Sequence, residues 1–258
     1  MSVRSALELG GRKGIVTGGS RGLGLQIAEA LGEMGAELVL VARHRGELEE
    51  AVAHLTQRGV RAHAVAADLA DPDGVERCAH EALAALGQCD ILVNNAGATW
   101  ASPTEDHPLD GWQKVFDVNV TAPFLLCRTI GKASMIPRGY GRILNIASPA
   151  GFRGSPKQFR KTVAYNTSKG ALINFTRALA AEWGPFGITV NAIAPGIFPT
   201  KLSSAALERM TAYAAATSPQ GRIGGSEDLK GAAVLFCSDA GKHITGQILA
   251  VDGGLSIV

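Results

Sequence analysis

The stretch that most narrows the possible folds is Lys13-Gly-Ile-Val-Thr17, a short apolar run passing directly into Gly18-Gly-Ser-Arg-Gly-Leu-Gly24. Leu25, Ile27, Ala28 and Leu31 then follow at helical spacing. The pattern reads as strand, glycine turn and helix. Glycines let the backbone approach a pyrophosphate closely, and the N-terminus of the following helix offers free N–H groups and a partial positive charge. The spacing Thr-Gly-x-x-x-Gly-x-Gly differs from the usual dinucleotide fingerprint. Its context, a preceding strand and a following amphipathic helix, is nevertheless the one this binding mode requires.

The same alternation continues along the chain. Glu37–Ala42, Arg61–Ala66, Asp90–Gly97, Arg142–Ala147, Gly187–Ile193 and Gln247–Val251 read as strands. Glu47–Gln57, Pro72–Leu86, a long stretch from Leu109 to Met135 interrupted near Pro123, Tyr165 to Trp183, Lys201–Ser218 and Ser226–Ser238 read as helices. Six or seven strands alternating with helices predict an α/β fold, a doubly wound parallel sheet with helices on both faces. Chains of this length in that class form one domain, here expected over residues 1–258, with no linker or internal repeat.

Composition limits the partners. A formal net charge of only +2 disfavours nucleic acid and anionic membranes, leaving small molecules as the expected ligands. The N-terminal decapeptide lacks an apolar signal core, and no later run approaches a membrane span, so a soluble, cytoplasmic protein is expected. Cys78, Cys89, Cys127 and Cys237 are scattered without C-x-x-C spacing and the six histidines are dispersed, which disfavours disulfides and metal binding.

Tyr165-Asn-Thr-Ser-Lys169 places a phenol and an ammonium four residues apart on one helix face. Such pairs also occur by chance on solvated faces. A fixed cation beside the phenol is expected to favour the phenolate and lower its pKa from about 10, making it a proton shuttle for an alcohol. Asn119 is a misfit inside its helix, because its side chain competes for backbone hydrogen bonds. Ser148 stands at the carboxyl end of the fifth strand. The second strand runs out into Ala42-Arg43-His44-Arg45, where an NAD-selecting enzyme usually has a carboxylate. Arg43 with Arg21 could grip a 2′-phosphate, predicting NADP (NADPH); a solvated basic turn is the alternative. Asp68 could bond an adenine amine or cap the turn before Asp71-Pro72. Arg153, Lys157, Arg160 and Lys161 crowd the stretch before Tyr165, either attracting an anionic substrate or keeping a loop solvated.

Thr17-Gly-Gly-Ser-Arg-Gly-Leu-Gly24, Asn94-Asn-Ala-Gly97, Asn119, Ser148, Tyr165-Asn-Thr-Ser-Lys169 and Pro195-Gly196 with Thr200 occur in the order, and near the spacings, of the short-chain dehydrogenase/reductase family. The chain resembles that family over essentially its whole length. The resemblance implies a seven-stranded Rossmann sheet in the order 3-2-1-4-5-6-7 and a homotetramer formed through the helices holding Asn119 and Tyr165. It implies Tyr165 as acid/base, Ser148 orienting the substrate oxygen, Lys169 binding the nicotinamide ribose and depressing the tyrosine pKa, and Asn119 anchoring a relay water. Gly18, Ser20, Arg21, Gly22, Leu23 and Gly24 match the phosphate loop, Asp68 and Leu69 the adenine contact, and Asn95, Ala96 and Gly97 the adenosine-ribose side. Pro195, Gly196 and Thr200 match the nicotinamide side. The segment between Ser148 and Tyr165 is a few residues longer than is common in the family. The expected activity is reversible reduction of a carbonyl to an alcohol. The resemblance extends to 3-oxoacyl reductases and to gluconate 5-dehydrogenase-like enzymes, so sugar-acid or polyol oxidation is the alternative, and a non-catalytic cofactor-binding regulator is a third reading.

Overall fold

In the computed structural model, which describes residues 2–155, 161–199 and 207–258, the apolar runs become seven strands. These are β1 Lys13–Thr17, β2 Glu37–Ala42, β3 Ala62–Ala66, β4 Ile91–Asn94, β5 Gly141–Ile146, β6 Ile188–Pro195 and β7 Ile248–Val251. All pair in parallel in one sheet of order β3-β2-β1-β4-β5-β6-β7. The helices are α1 Val3–Leu7, α2 Gly22–Glu33, α3 Arg45–Thr56, α4 Pro72–Leu86, α5 Leu109–Phe116, α6 Ala122–Ile130, α7 Ile136–Arg138, α8 Val163–Trp183, α9 Leu207–Thr217 and α10 Lys230–Cys237.

Successive strand side chains point to opposite faces, and both faces are covered, which is why the central strands are apolar without a break. Val16, Leu38, Leu40, Ile91, Val93, Leu144 and Ile193 join one core with Ile27 and Leu31 of α2, Leu48 and Leu55 of α3 and Phe236 of α10. Ile15, Val39, Val41, Leu92, Ile143 and Val190 join the other, with Ala82 of α4, Leu126 of α6 and Trp183 of α8. β1 is the pivot, with Val16 opposite Leu40 on one side and Val93 on the other. Strand order reverses between β1 and β4, so the turns leaving these two strands diverge and open a crevice at the carboxyl edge.

The interruption expected near Pro123 is a change of helical register. A π-helical turn over Asp117–Thr121 joins α5 to α6, and a second over Gly131–Met135 joins α6 to α7. Pro123 and Pro137 each sit in the first turn after such a widening. Proline lacks an N–H and its ring collides with the carbonyl four residues back; a five-residue register moves that carbonyl aside. At Gly131 a β-carbon would lie 2.3 Å from Trp183 Cη2, so the indole of α8 occupies the space a side chain would need. α10 begins later than expected because Asp228 holds the preceding turn open, accepting from Gly225 N–H at 2.7 Å and from both terminal nitrogens of Arg222. α1, capped by the Ser2 hydroxyl, was not expected.

Among the described residues no helix is long and apolar enough to cross a membrane, and no cluster of His, Cys, Asp or Glu could hold a metal ion. The four cysteines are free and buried, and burial pushes the thiols of Cys78, Cys127 and Cys237 up to about 12.

The amino edge of the sheet is closed by a charged knot. Arg12 and Arg142 both approach the Tyr140 ring, at 4.0 and 4.3 Å from its centroid, and both pair with Asp239, at 3.3 and 2.9 Å. The Arg142 side chain is only 5% exposed, so Asp239→Ala leaves a buried cation without its carboxylate and should cost about 3 kcal/mol of stability. Arg77→Ala, which breaks the exposed pair with Asp71, should cost less than about 0.5 kcal/mol. Urea denaturation midpoints decide the matter, and equal shifts for the two variants would contradict this reading of the knot.

Candidate active site

The turns leaving β1, β4, β5 and β6 carry most of the residues picked out in the sequence. Gly18 and Gly22, at φ +63° and +56°, occupy the left-handed region open to glycine. Gly24 packs α2 against the turn: a β-carbon there would lie 2.2 Å from the Gly18 carbonyl oxygen and 2.4 Å from Asn95 Nδ2. The crevice is braced from the β4 side. Thr17 Oγ1 accepts from the N–H groups of Asn95 (2.9 Å) and Ala96 (3.1 Å) and donates to the Val93 carbonyl at 3.2 Å. Asn95 Nδ2 donates to the carbonyls of Thr17 (2.8 Å) and Gly18 (3.2 Å). Asn95, which the resemblance places on the adenosine-ribose side, thus stitches the glycine turn to β4 through its side-chain amide.

α8 presents Tyr165, Ser168 and Lys169 toward β5 and the first π turn. Lys169 is 4% exposed, and Nζ donates to the Ile146 carbonyl at 2.7 Å, just before Ser148. No carboxylate pairs with it among the described residues, and burial lowers its pKa from 10.5 to about 8. Its Nζ lies 5.7 Å from the Tyr165 ring centroid. The Ser148 hydroxyl accepts from Ala150 N–H at 3.2 Å and hydrogen-bonds the Tyr165 phenol. The expected depression of the Tyr165 pKa is not found in the chain alone. Burial of the phenol pushes it above the usual value and outweighs the opposing Ser148 hydrogen bond, and Lys169, whose Nζ sits over the ring 5.7 Å from its centroid, does not reverse the rise. Tyr165 is accordingly a neutral phenol at pH 7.

The misfit of Asn119 is resolved by the π turn that contains it. Its Oδ1 accepts from Ala98 N–H (2.8 Å), while Nδ2 donates to the Ala98 carbonyl (2.9 Å) and to Ser168 Oγ (2.9 Å). Ser168, fully buried, in turn donates to the Tyr165 carbonyl at 2.8 Å. Asn119 therefore clamps the turn after β4 to α8, with both amide hydrogens committed. Gly97 lies beside this clamp: a β-carbon there would stand 3.5 Å from Asn119 Oδ1 and 3.9 Å from Lys169 Nζ, in ordinary contact with both.

At the adenosine end the picture divides. Arg43 is exposed and has no ion-pair partner among the described residues, but Arg21 Nη1 lies 2.5 Å from Glu47 Oε1, and Ser20 Oγ donates to Glu47 Oε2 at 3.5 Å. Asp68 accepts from Ala70 N–H at 3.0 Å, the turn-capping alternative, and Leu69 is buried in the second core. Leu23 packs against the first core. On the far side, Pro195 ends β6, and Gly196 donates to the Val251 carbonyl at 3.0 Å where a β-carbon would meet Asp252 Cα at 2.7 Å. Thr200, Lys157 and Arg160 lie outside the described residues. Sequence reasoning missed Ser168, Thr17, Glu47 and Asn166. Asn166 holds the loop before α8 by donating to the carbonyls of Ala150 (3.0 Å) and Arg153 (3.1 Å). Ser168 and Asn166 were readable as polar residues inside a helix; Glu47 left no local signal.

A crevice at the strand reversal, glycine turns stripped of β-carbons and a buried lysine with unused donors are what a dinucleotide cofactor needs, and they define a dinucleotide-dependent oxidoreductase. Residues 18–256 match the family model described as enoyl-(acyl carrier protein) reductase. The chain is 36% identical to the gluconate 5-dehydrogenase of Gluconobacter oxydans (strain 621H), over 100% of this chain and 99% of that protein. It is 35% identical to the 3-oxoacyl-(acyl-carrier-protein) reductase FabG of Aquifex aeolicus, over 96% and 99%. It superimposes with a TM-score of 0.93, at 32% identity and full coverage of both chains, on a gluconate 5-dehydrogenase of Burkholderia cenocepacia J2315 in complex with NADP and tartrate. The chain belongs to the short-chain dehydrogenase/reductase family. Solved structures similar to it include complexes with NADP, among them the Burkholderia cenocepacia protein and Pseudomonas aeruginosa RhlG, the latter 34% identical with a TM-score of 0.89 over 97% of this chain and 98% of that one.

Keeping Lys169 charged in the core works against folding. The fall from 10.5 to about 8 corresponds to about 3 kcal/mol, present in full below pH 8, where folded and unfolded chains are both protonated. Between pH 8 and 10.5 only the unfolded chain keeps the proton, so the penalty fades as pH rises. Lys169→Met should therefore unfold at a higher urea midpoint than wild type at pH 7, with the gap shrinking toward pH 10. A gap that is constant or grows with pH would contradict the buried-charge account.

Proposed function

We propose that this chain is an NADPH-dependent carbonyl reductase that converts a ketone reversibly to a secondary alcohol, with Tyr165 as the proton donor. One observation carries the reading: a neutral phenol hydrogen-bonded to Ser148 stands beside a buried ammonium, 5.7 Å from its ring centroid. Ser148 is held by the Ala150 N–H so that its own O–H can turn to the phenol or to a substrate oxygen. NADPH, when bound, supplies the hydride. As the carbonyl carbon gains that hydride, its oxygen takes the Tyr165 proton, so C=O becomes CH–OH and a phenolate remains. The Lys169 ammonium stabilises that phenolate, and solvent returns the proton. Asn119 contributes by fixing Ser168, and through it the first turn of α8, against the turn after β4.

Raised rather than lowered, the Tyr165 pKa suits the reductive direction, since the donor must hold its proton at neutral pH. Oxidation needs the phenolate and should quicken as pH rises. Similarity to gluconate 5-dehydrogenases, one of them with tartrate bound, favours a second reading in which the substrate is a sugar acid or polyol and the working direction is oxidative.

Tyr165→Phe deletes one hydroxyl and keeps the ring. It should lower kcat by about 10²- to 10⁴-fold while leaving the NADPH Kd within about twofold. A variant with more than a tenth of wild-type kcat would remove Tyr165 from the proposal. For wild type, NADPH oxidation should be scored with β-keto esters, diketones, acyl thioesters and keto-sugar acids. Turnover confined to keto-sugar acids selects the second reading, and no turnover with any carbonyl ends both. With NADPH as the varied substrate, kcat/KM should fall as pH passes about 8, where Lys169 in the free enzyme loses its charge. A flat profile to pH 9.5 would show that this charge is not used in binding.

A further inference from the structure

The two arginines at the adenosine end stand in different states. Arg43 is exposed and unpaired among the described residues, whereas the Arg21 guanidinium is held at 2.5 Å by Glu47, whose second oxygen receives the Ser20 hydroxyl. Glu47 lies in the first turn of α3, a position that suits a carboxylate near the positive end of the helix. The end of β2 lacks the acidic residue expected of an NAD-selecting enzyme, yet α3 delivers one to the glycine turn from the side. A guanidinium offers the same fork of N–H donors to a carboxylate and to a phosphate. Both partners are partly exposed, Arg21 44% and Glu47 34%, so the ion pair is weak and can open into solvent.

We propose that Glu47 is a displaceable counter-ion of Arg21 that sets how strongly the chain prefers a 2′-phosphorylated nicotinamide cofactor over its unphosphorylated counterpart. The inference rests on reading Arg21 and Arg43 as 2′-phosphate ligands. A phosphate carrying nearly two negative charges must take Arg21 from Glu47 and then lie next to the released carboxylate. A cofactor ending in ribose hydroxyls meets neither obstacle. Glu47 thus holds NADPH affinity below what two free arginines would give and narrows the discrimination between the two cofactors.

The test is equilibrium binding of NADPH, NADH and adenosine 2′,5′-bisphosphate to wild type, Glu47→Gln, Arg21→Gln, Arg43→Gln and the Glu47→Gln/Arg21→Gln double variant. Thermal melting checks the fold of each variant. Glu47→Gln should tighten NADPH and the bisphosphate about tenfold, which is about 1.4 kcal/mol, and raise the ratio of NADH to NADPH Kd by the same factor. In the Arg21→Gln background the same change should gain less than about threefold, because no arginine remains to be released. Equal shifts for NADPH and NADH, no shift, or a full tenfold gain without Arg21 would each overturn the proposal. If the phosphate reading itself is at fault, neither Arg21→Gln nor Arg43→Gln will weaken NADPH, whatever Glu47→Gln does. Should Glu47→Gln misfold, Glu47→Ala read by the same Kd ratio decides between these outcomes.

Discussion

The Lys169 ammonium resting on the Ile146 carbonyl is the contact to which the rest of the site is fitted. A lysine in the core, with one hydrogen bond at 2.7 Å and no carboxylate beside it among the described residues, is destabilising, and its pKa is driven down to about 8. The fold tolerates this because α8 is fixed on several sides. Ser168 is clamped by Asn119, and Thr176, two turns further on, accepts from Asn145 of β5 at 2.9 Å. Asn166 ties the loop carrying Ser148 to the same helix. The strain of a buried charge is thus set against a well-bonded frame, as is expected where binding needs a cation that water has not already satisfied.

The sheet supplies the frame. Its order reverses between β1 and β4, and the Thr17 and Asn95 side chains bridge that reversal. The glycine turn is therefore a rigid cradle whose backbone, freed of β-carbons, is presented to the crevice. Proton chemistry sits one strand further along, after β5, and both stations are held in register by parallel strands buried on both faces.

Much of this was legible in the sequence because it depends on local periodicity. The unbroken apolar runs gave the strands, and the helix read over Pro72–Leu86 is α4, with Asp71 capping its start and Gly87, left-handed at φ +76°, ending it. Asn119 was visible as a misfit, but the π turn that accommodates it was not, since a register change of one residue leaves no mark in an amphipathic pattern. The direction of the Tyr165 shift was misjudged for a physical reason. Sequence spacing shows a cation four residues away, whereas the phenol responds chiefly to its own burial, which only the packed structure reveals. The grip of Glu47 on Arg21 spans 26 residues and joins two separate helix starts, beyond the reach of any local pattern.

The most direct test of this account is an NMR titration of the Lys169 side chain, assigned by comparison with Lys169→Met, in free protein and with NADPH. The account predicts a pKa of about 8 in the free chain that rises when cofactor binds, because new acceptors then replace the water lost on burial. A value near 10.5 in the free chain, or one unmoved by NADPH, would contradict it.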